Sequence, residues 1–116
     1  SDMRTKKEVN DFTDGLNVLS NINPVTFKYN GFYNTPNDNK TYVGIIAQEV
    51  QEVAPYMIGS YEAPKYEGSE SVEEILNYDG GTYMLYVIVN SVKELQKENE
   101  LLRQELKELR EKLEQR

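Results

Sequence analysis

The chain has no cysteine and no histidine among its 116 residues. Without cysteine there are no disulfides, thiolate metal sites or cysteine nucleophiles. Without histidine there is no Ser-His-Asp triad, no imidazole-ligated zinc and no imidazole pH switch. Any nucleophilic catalysis must therefore take its base from a lysine, a carboxylate or a terminal amine. No cofactor or metal site is expected. Long apolar runs are also missing. The longest, Met84 to Val89, is far too short to span a bilayer, so no membrane partner is expected. Positive charge is in the minority, with 13 Lys and Arg against 20 Asp and Glu and a net charge of −7. That balance argues against a nucleic-acid partner.

What is present divides near Tyr83. The length suits one domain with an extension. We expect a small mixed α+β domain over residues 1–83 and a coiled-coil helix over 84–116. In the second part, apolar residues recur in alternating steps of three and four. Leu85, Val92, Asn99, Leu106 and Leu113 fall at heptad position a, and Ile88, Leu95, Leu102 and Leu109 at d. The pattern predicts about four heptads, roughly 45 Å of helix at ~1.5 Å per residue. Glu98 and Glu105 fall at g, and Arg103 and Arg110 at e, five residues after each. Each g glutamate then faces the e arginine of a parallel, in-register neighbour, which favours identical chains side by side. Asn99 at a fixes register. Asn at a with Leu at most d positions suits a dimer. Leu85 at a followed by Ile88 at d suits higher states, so the seam itself leaves dimer and trimer open.

In the first part, Val9, Phe12, Leu16 and Leu19 at helical spacing predict a helix over Lys7–Leu19, weakened by Gly15 and ended by Asn23-Pro24. Val25–Tyr29 alternates and reads as a strand. Thr41–Ile46 reads as its returning partner across a polar loop that contains Asn30-Gly31 and Pro36. Ala47–Val53 suits a short helix stopped by Pro55. Tyr56–Ile58 reads as a short strand, Gly59–Ser71 as a polar extended arm, and Val72–Tyr78 as a final strand. Thr82 is the expected N-cap of the long helix. So small a core should depend on oligomerisation for its stability.

An ordered set of short motifs carries a family resemblance. Ser1-Asp2-x-Arg4-x-Lys6 opens the chain, and Asn23-Pro24-Val25-x-Phe27-x-Tyr29 follows. Gly44-Ile45-Ile46-Ala47-Gln48-Glu49-Val50 comes next, and Tyr78-Asp79-Gly80 leads into the heptads. In that order they resemble the C-terminal intramolecular chaperone, or auto-processing, domain of phage endosialidases, tail spikes and neck appendages. Thr5, Lys7 and Val9 depart from that pattern without touching Ser1 or Lys6.

The resemblance implies more than composition does. It implies a homotrimeric module that helps a phage tail or appendage fibre to fold. The module would then cut the chain immediately before Ser1, once per chain, as a serine endopeptidase with a Ser1–Lys6 dyad. No initiator methionine precedes Ser1, and on this reading that end is the product of the cut. The precursor would be made in the bacterial host cytoplasm, and the freed module would be absent from the mature virion.

For such a dyad, Lys6 must be neutral to accept the Ser1 proton, against a usual lysine pKa of ~10.4. Arg4 and Lys7 would favour the neutral amine, and Asp2 and Glu8 would oppose it. Residues five apart do not face each other on one helix, so a bend between Ser1 and Lys6 is expected. Gln48 is a candidate oxyanion donor, and Tyr61 and Tyr66 on the arm are candidate contacts to the upstream fibre. Two readings of other kinds stand beside this one: a non-catalytic coiled-coil oligomerisation module and a protein-binding adaptor.

Overall fold

The computed structural model describes residues 1–116. Its elements run α1 (Leu16–Leu19), β1 (Val25–Phe27), β2 (Tyr42–Gly44), α2 (Ala47–Val53), β3 (Ile58–Ala63), β4 (Glu73–Tyr78) and α3 (Tyr83–Glu114). Single 3-10 turns lie at Met3–Thr5 and Pro55–Met57. This is a mixed α/β architecture of short strands with one long C-terminal helix, 79 × 43 × 20 Å in extent. No helix is long and apolar enough to cross a membrane. No group of three or more acidic side chains is arranged to hold a metal ion.

The strands form two separate antiparallel hairpins. β1 pairs with β2, Val25 opposite Gly44 and Phe27 opposite Tyr42. β3 pairs with β4, Ile58 opposite Tyr78 and Ala63 opposite Glu73. The two are tied at their far ends, where the Tyr33 amide donates to the Lys65 carbonyl and the Tyr33 hydroxyl bonds the Glu73 carboxylate.

Five residues make the core: Val18 of α1, Val50 of α2, Ala54, Met57 and Val87 of α3. Leu19, Ile22, Ile45, Val53, Tyr56, Ile58 and Met84 pack around them. The first turns of α3 are therefore a wall of the body. Past Ser91 every residue of α3 is exposed. The apolar a and d residues of the heptads stand 41–58% exposed, with no partner surface inside their own chain.

Several expectations are corrected. The helix expected over Lys7–Leu19 forms only at Leu16–Leu19. Glu8 takes a left-handed conformation (φ 53°), which breaks helical continuity. The carbonyls of Phe12 and Asp14 are taken by the Asn90 amide of α3, at 2.8 and 2.9 Å, instead of by later turns of a helix. Gly15 then passes so close to α3 that a Cβ there would collide with the Glu94 carboxylate.

The expected strand at Tyr56–Ile58 is a 3-10 turn begun by Pro55, and the strand starts at Ile58. The first part of the polar arm over 59–71 is this same strand, β3, paired along its length. Its polar residues occupy the exposed face, and the loop proper is the short stretch between β3 and β4. β1 and β2 are shorter than expected, and α2 spans the residues expected of it. Thr82 makes no side-chain cap; its backbone is already helical (φ −76°, ψ −12°). The turn into α3 is made by Gly80 and Gly81, the latter at φ 47°, with the Tyr83 amide donating to the Gly80 carbonyl.

Candidate functional site

Asp2 organises the N-terminal arm. Its carboxylate caps the 3-10 turn by accepting from the Arg4 amide at 2.8 Å. The Arg4 guanidinium returns to the same carboxylate through Nε at 3.2 Å and a terminal nitrogen at 2.9 Å. The Asp2 carbonyl accepts from the Thr5 hydroxyl at 2.7 Å and the Thr5 amide at 3.1 Å. Lys6 closes the turn with its amide on the Met3 carbonyl, in extended backbone (φ −117°, ψ 150°).

This turn supplies the bend that a five-residue spacing requires. It brings Lys6 Nζ into hydrogen-bond contact with Ser1 Oγ and leaves the same amine 3.4 Å from the Asp2 carbonyl. The contact can run in either sense: an ammonium donates to the hydroxyl, or the hydroxyl donates to a neutral amine. Two of the neighbours expected to act on Lys6, Asp2 and Arg4, are committed to each other. The Arg4 guanidinium holds the Asp2 carboxyl below its usual range, and Asp2 in turn pushes Arg4 higher. Both side chains are well exposed, so screening makes this ion pair a weak contributor to stability. Its consequence is local: the Asp2 carboxylate already has a cation.

Gln48 is not part of this cluster. It lies on α2 and lines the cleft between the two hairpins, among Phe27, Tyr29, Tyr42 and Tyr78, and no residue of the arm lines that cleft. Tyr61 lines it too, with its hydroxyl on the Tyr33 carbonyl at 3.2 Å, whereas Tyr66 stands exposed on the loop beyond β3.

Sequence reasoning missed the anchor of the arm. Asn90 holds Phe12 and Asp14, Glu94 accepts from the Leu16 amide at 3.1 Å, and the Tyr56 hydroxyl donates to Asp14 at 2.6 Å. Phe12 meets Tyr56 edge-on, and Tyr56 meets Tyr83. Burial, then the bond to Asp14, pushes the Tyr56 hydroxyl well above its usual range. The only local signal for this anchor was the polar Asn90 next to an apolar run.

No curated protein matches the chain. The family model of peptidase S74, described as chaperone of endosialidase, matches residues 1–59, which hold the Ser1–Lys6 turn, β1, β2 and α2. The chain belongs to the chaperone-of-endosialidase family.

Proposed function

We propose that this chain is an intramolecular chaperone that trimerises, assists the folding of a phage tail or appendage fibre, and frees itself by one cut immediately before Ser1. The observation that carries the reading is the contact of Lys6 Nζ with Ser1 Oγ in a member of a family named both as peptidase and as chaperone. The exposed a and d residues of α3, with complementary charges at e and g, support assembly into a parallel trimer. The phage fibre as client rests on the ordered motifs and the family.

The chemistry needs only groups that this chain has. A neutral Lys6 amine takes the Ser1 hydroxyl proton as Oγ attacks the carbonyl carbon of the preceding residue. The tetrahedral adduct collapses with cleavage of the C–N bond, and the proton passes from Lys6 to the departing Ser1 amine. The acyl group now sits on Oγ as an ester. Water hydrolyses the ester, leaving a carboxylate on the upstream fragment and restoring the Ser1 hydroxyl. Each chain turns over once, because the bond it cuts is its own.

Expression with the native upstream residues tests the reading through chain length on a denaturing gel. Wild type is expected to appear as two fragments, and Ser1→Ala and Lys6→Ala as uncut chains. Three full-length chains would leave a non-catalytic oligomerisation module instead.

A further inference from the structure

The Ser1–Lys6 contact is built but uncovered. Every residue from Ser1 to Thr13 is exposed. The hydrogen bonds of residues 1–10 all stay within that arm. Met3 and Val9 project from it 81% and 71% exposed. Two needs of the reaction go unmet there. A lysine becomes a base when apolar surroundings drive off its charge, and the arm meets only solvent. The developing oxyanion needs a donor at about 3 Å. The single side-chain amide of the arm, Asn10, is spent on the Glu8 carbonyl at 3.0 Å.

Both needs are met together elsewhere in the molecule. The cleft between the hairpins, about 720 Å³, has apolar walls that include Phe27, Tyr42 and Ile45, and Gln48 stands among them. The arm of the same chain does not line the cleft, so an arm that uses it would be that of another copy.

A second copy fits that role on three grounds. The g and e charges Glu98/Arg103 and Glu105/Arg110 favour parallel copies in register, which would set copies side by side, ~8–10 Å between helix axes. The arm is rooted on α3 at Asn90, and Val50 of α2 lies in the same core cluster as Val87 of α3. Those two levels differ by three residues, ~4.5 Å along the helix. The root of one arm therefore lies level with the α2 of its neighbour. From that root, with the Ser1–Lys6 turn kept, residues 7–11 can extend up to roughly 17 Å, enough to bridge neighbouring helices.

We propose that the site is completed in trans. The arm of one protomer lies in the hairpin cleft of a second copy, whose apolar walls neutralise Lys6 and whose Gln48 donates its Nε2–H to the oxyanion. This rests on the self-cleavage proposed above and adds a residue and a surface to it. Ser1, Lys6 and the scissile bond belong to one copy, and the donor and the cover belong to the other. No bond or proton transfer is added to the sequence of steps already given.

Intersubunit complementation tests it, with all chains carrying the native upstream residues. Gln48→Ala alone is expected to cut on the order of 100-fold more slowly than wild type, the loss typical of one oxyanion donor. Ser1→Ala alone stays uncut. Mixed oligomers, isolated through a tag carried only by the Ser1→Ala chain, are expected to restore cutting of the Gln48→Ala chain. In randomly mixed trimers formed at equal amounts and isolated through that tag, about two-thirds of those chains should be cut, since selection removes the trimers in which no neighbour retains Gln48. A Gln48→Ala chain that stays uncut in mixed oligomers would overturn the proposal by placing Gln48 in cis. Cutting of Gln48→Ala alone at the wild-type rate would overturn it by removing Gln48 from the site. Uncut wild type would instead count against the self-cleavage on which the proposal rests.

Discussion

Shortening Met57 to alanine should remove a large part of the stability of the body. Met57 is fully buried (0% exposed) and sits at the junction of α2 and β3, in contact with the cluster of Val18, Val50, Ala54 and Val87. Only nine residues of the chain are buried, so few other side chains can move in to fill the space. Fully buried Met-to-Ala changes cost about 2–5 kcal/mol through lost transfer energy and the cavity left behind. At about 4–8 °C per kcal/mol for a body of this size, the midpoint should fall by roughly 8–40 °C. The readout is tyrosine fluorescence on heating, because Tyr56 and Tyr83 flank the core and α3 alone would dominate a helical signal. Chain concentration must be held fixed, since the proposed oligomerisation would be linked to folding. The control is Val43→Ala on β2, 76% exposed, expected within about 0.5 kcal/mol of wild type. If Met57→Ala melts with Val43→Ala, the assignment of the core is wrong.

Three further outcomes follow from the anchor and the seam. Tyr56 is protonated more strongly in the folded chain than in the unfolded one, so stability should be full below about pH 10 and fall as pH rises above it. Tyr56→Phe should flatten that fall in urea titrations across pH, though not abolish it, because Tyr33, Tyr42 and Tyr78 are also raised; an unchanged slope would contradict the Tyr56–Asp14 bond. Asn90→Ala removes two hydrogen bonds to the arm and should cost about 1–2 kcal/mol in the same titration; an unshifted midpoint would count against the anchor. Leu106→Lys places a charge at an a position and should shift the native mass from the proposed trimer towards monomer, whereas Lys107→Ala should leave it unchanged; a trimer that survives Leu106→Lys would take the seam off the assembly.

What the sequence made legible was local. α2 could be read because Ala47–Val53 is an unbroken helical stretch with a proline two residues on, and its core face, Val50 with Val53, follows from spacing alone. The β1–β2 hairpin followed from alternation around a polar loop. The long helix was plain from its heptads. The bend between Ser1 and Lys6 was required by their spacing, but its cause, the Asp2 cap with Arg4 folded back on it, needed the structure.

What was illegible was long-range. Phe12 and Leu16 share helical spacing, yet Asn90 and Glu94, more than seventy residues away, hold the backbone between them in another shape. β3 was hidden because Gly59, Ser60 and Glu62 look like loop composition, while their pairing with β4 is a property of register. Gln48 could be named as a polar residue in a motif, but its separation from the Ser1–Lys6 turn could not be seen until the cleft was described.

The central claim is that the module cuts its own chain immediately before Ser1, using Ser1 and Lys6. Intact-mass measurement of both fragments after expression with the native upstream residues tests it most directly. The account predicts one downstream fragment whose mass begins at Ser1 and one upstream fragment ending in a free carboxylate, with both absent from Lys6→Ala. A cut at any other bond, or the same cut in Lys6→Ala, would contradict it.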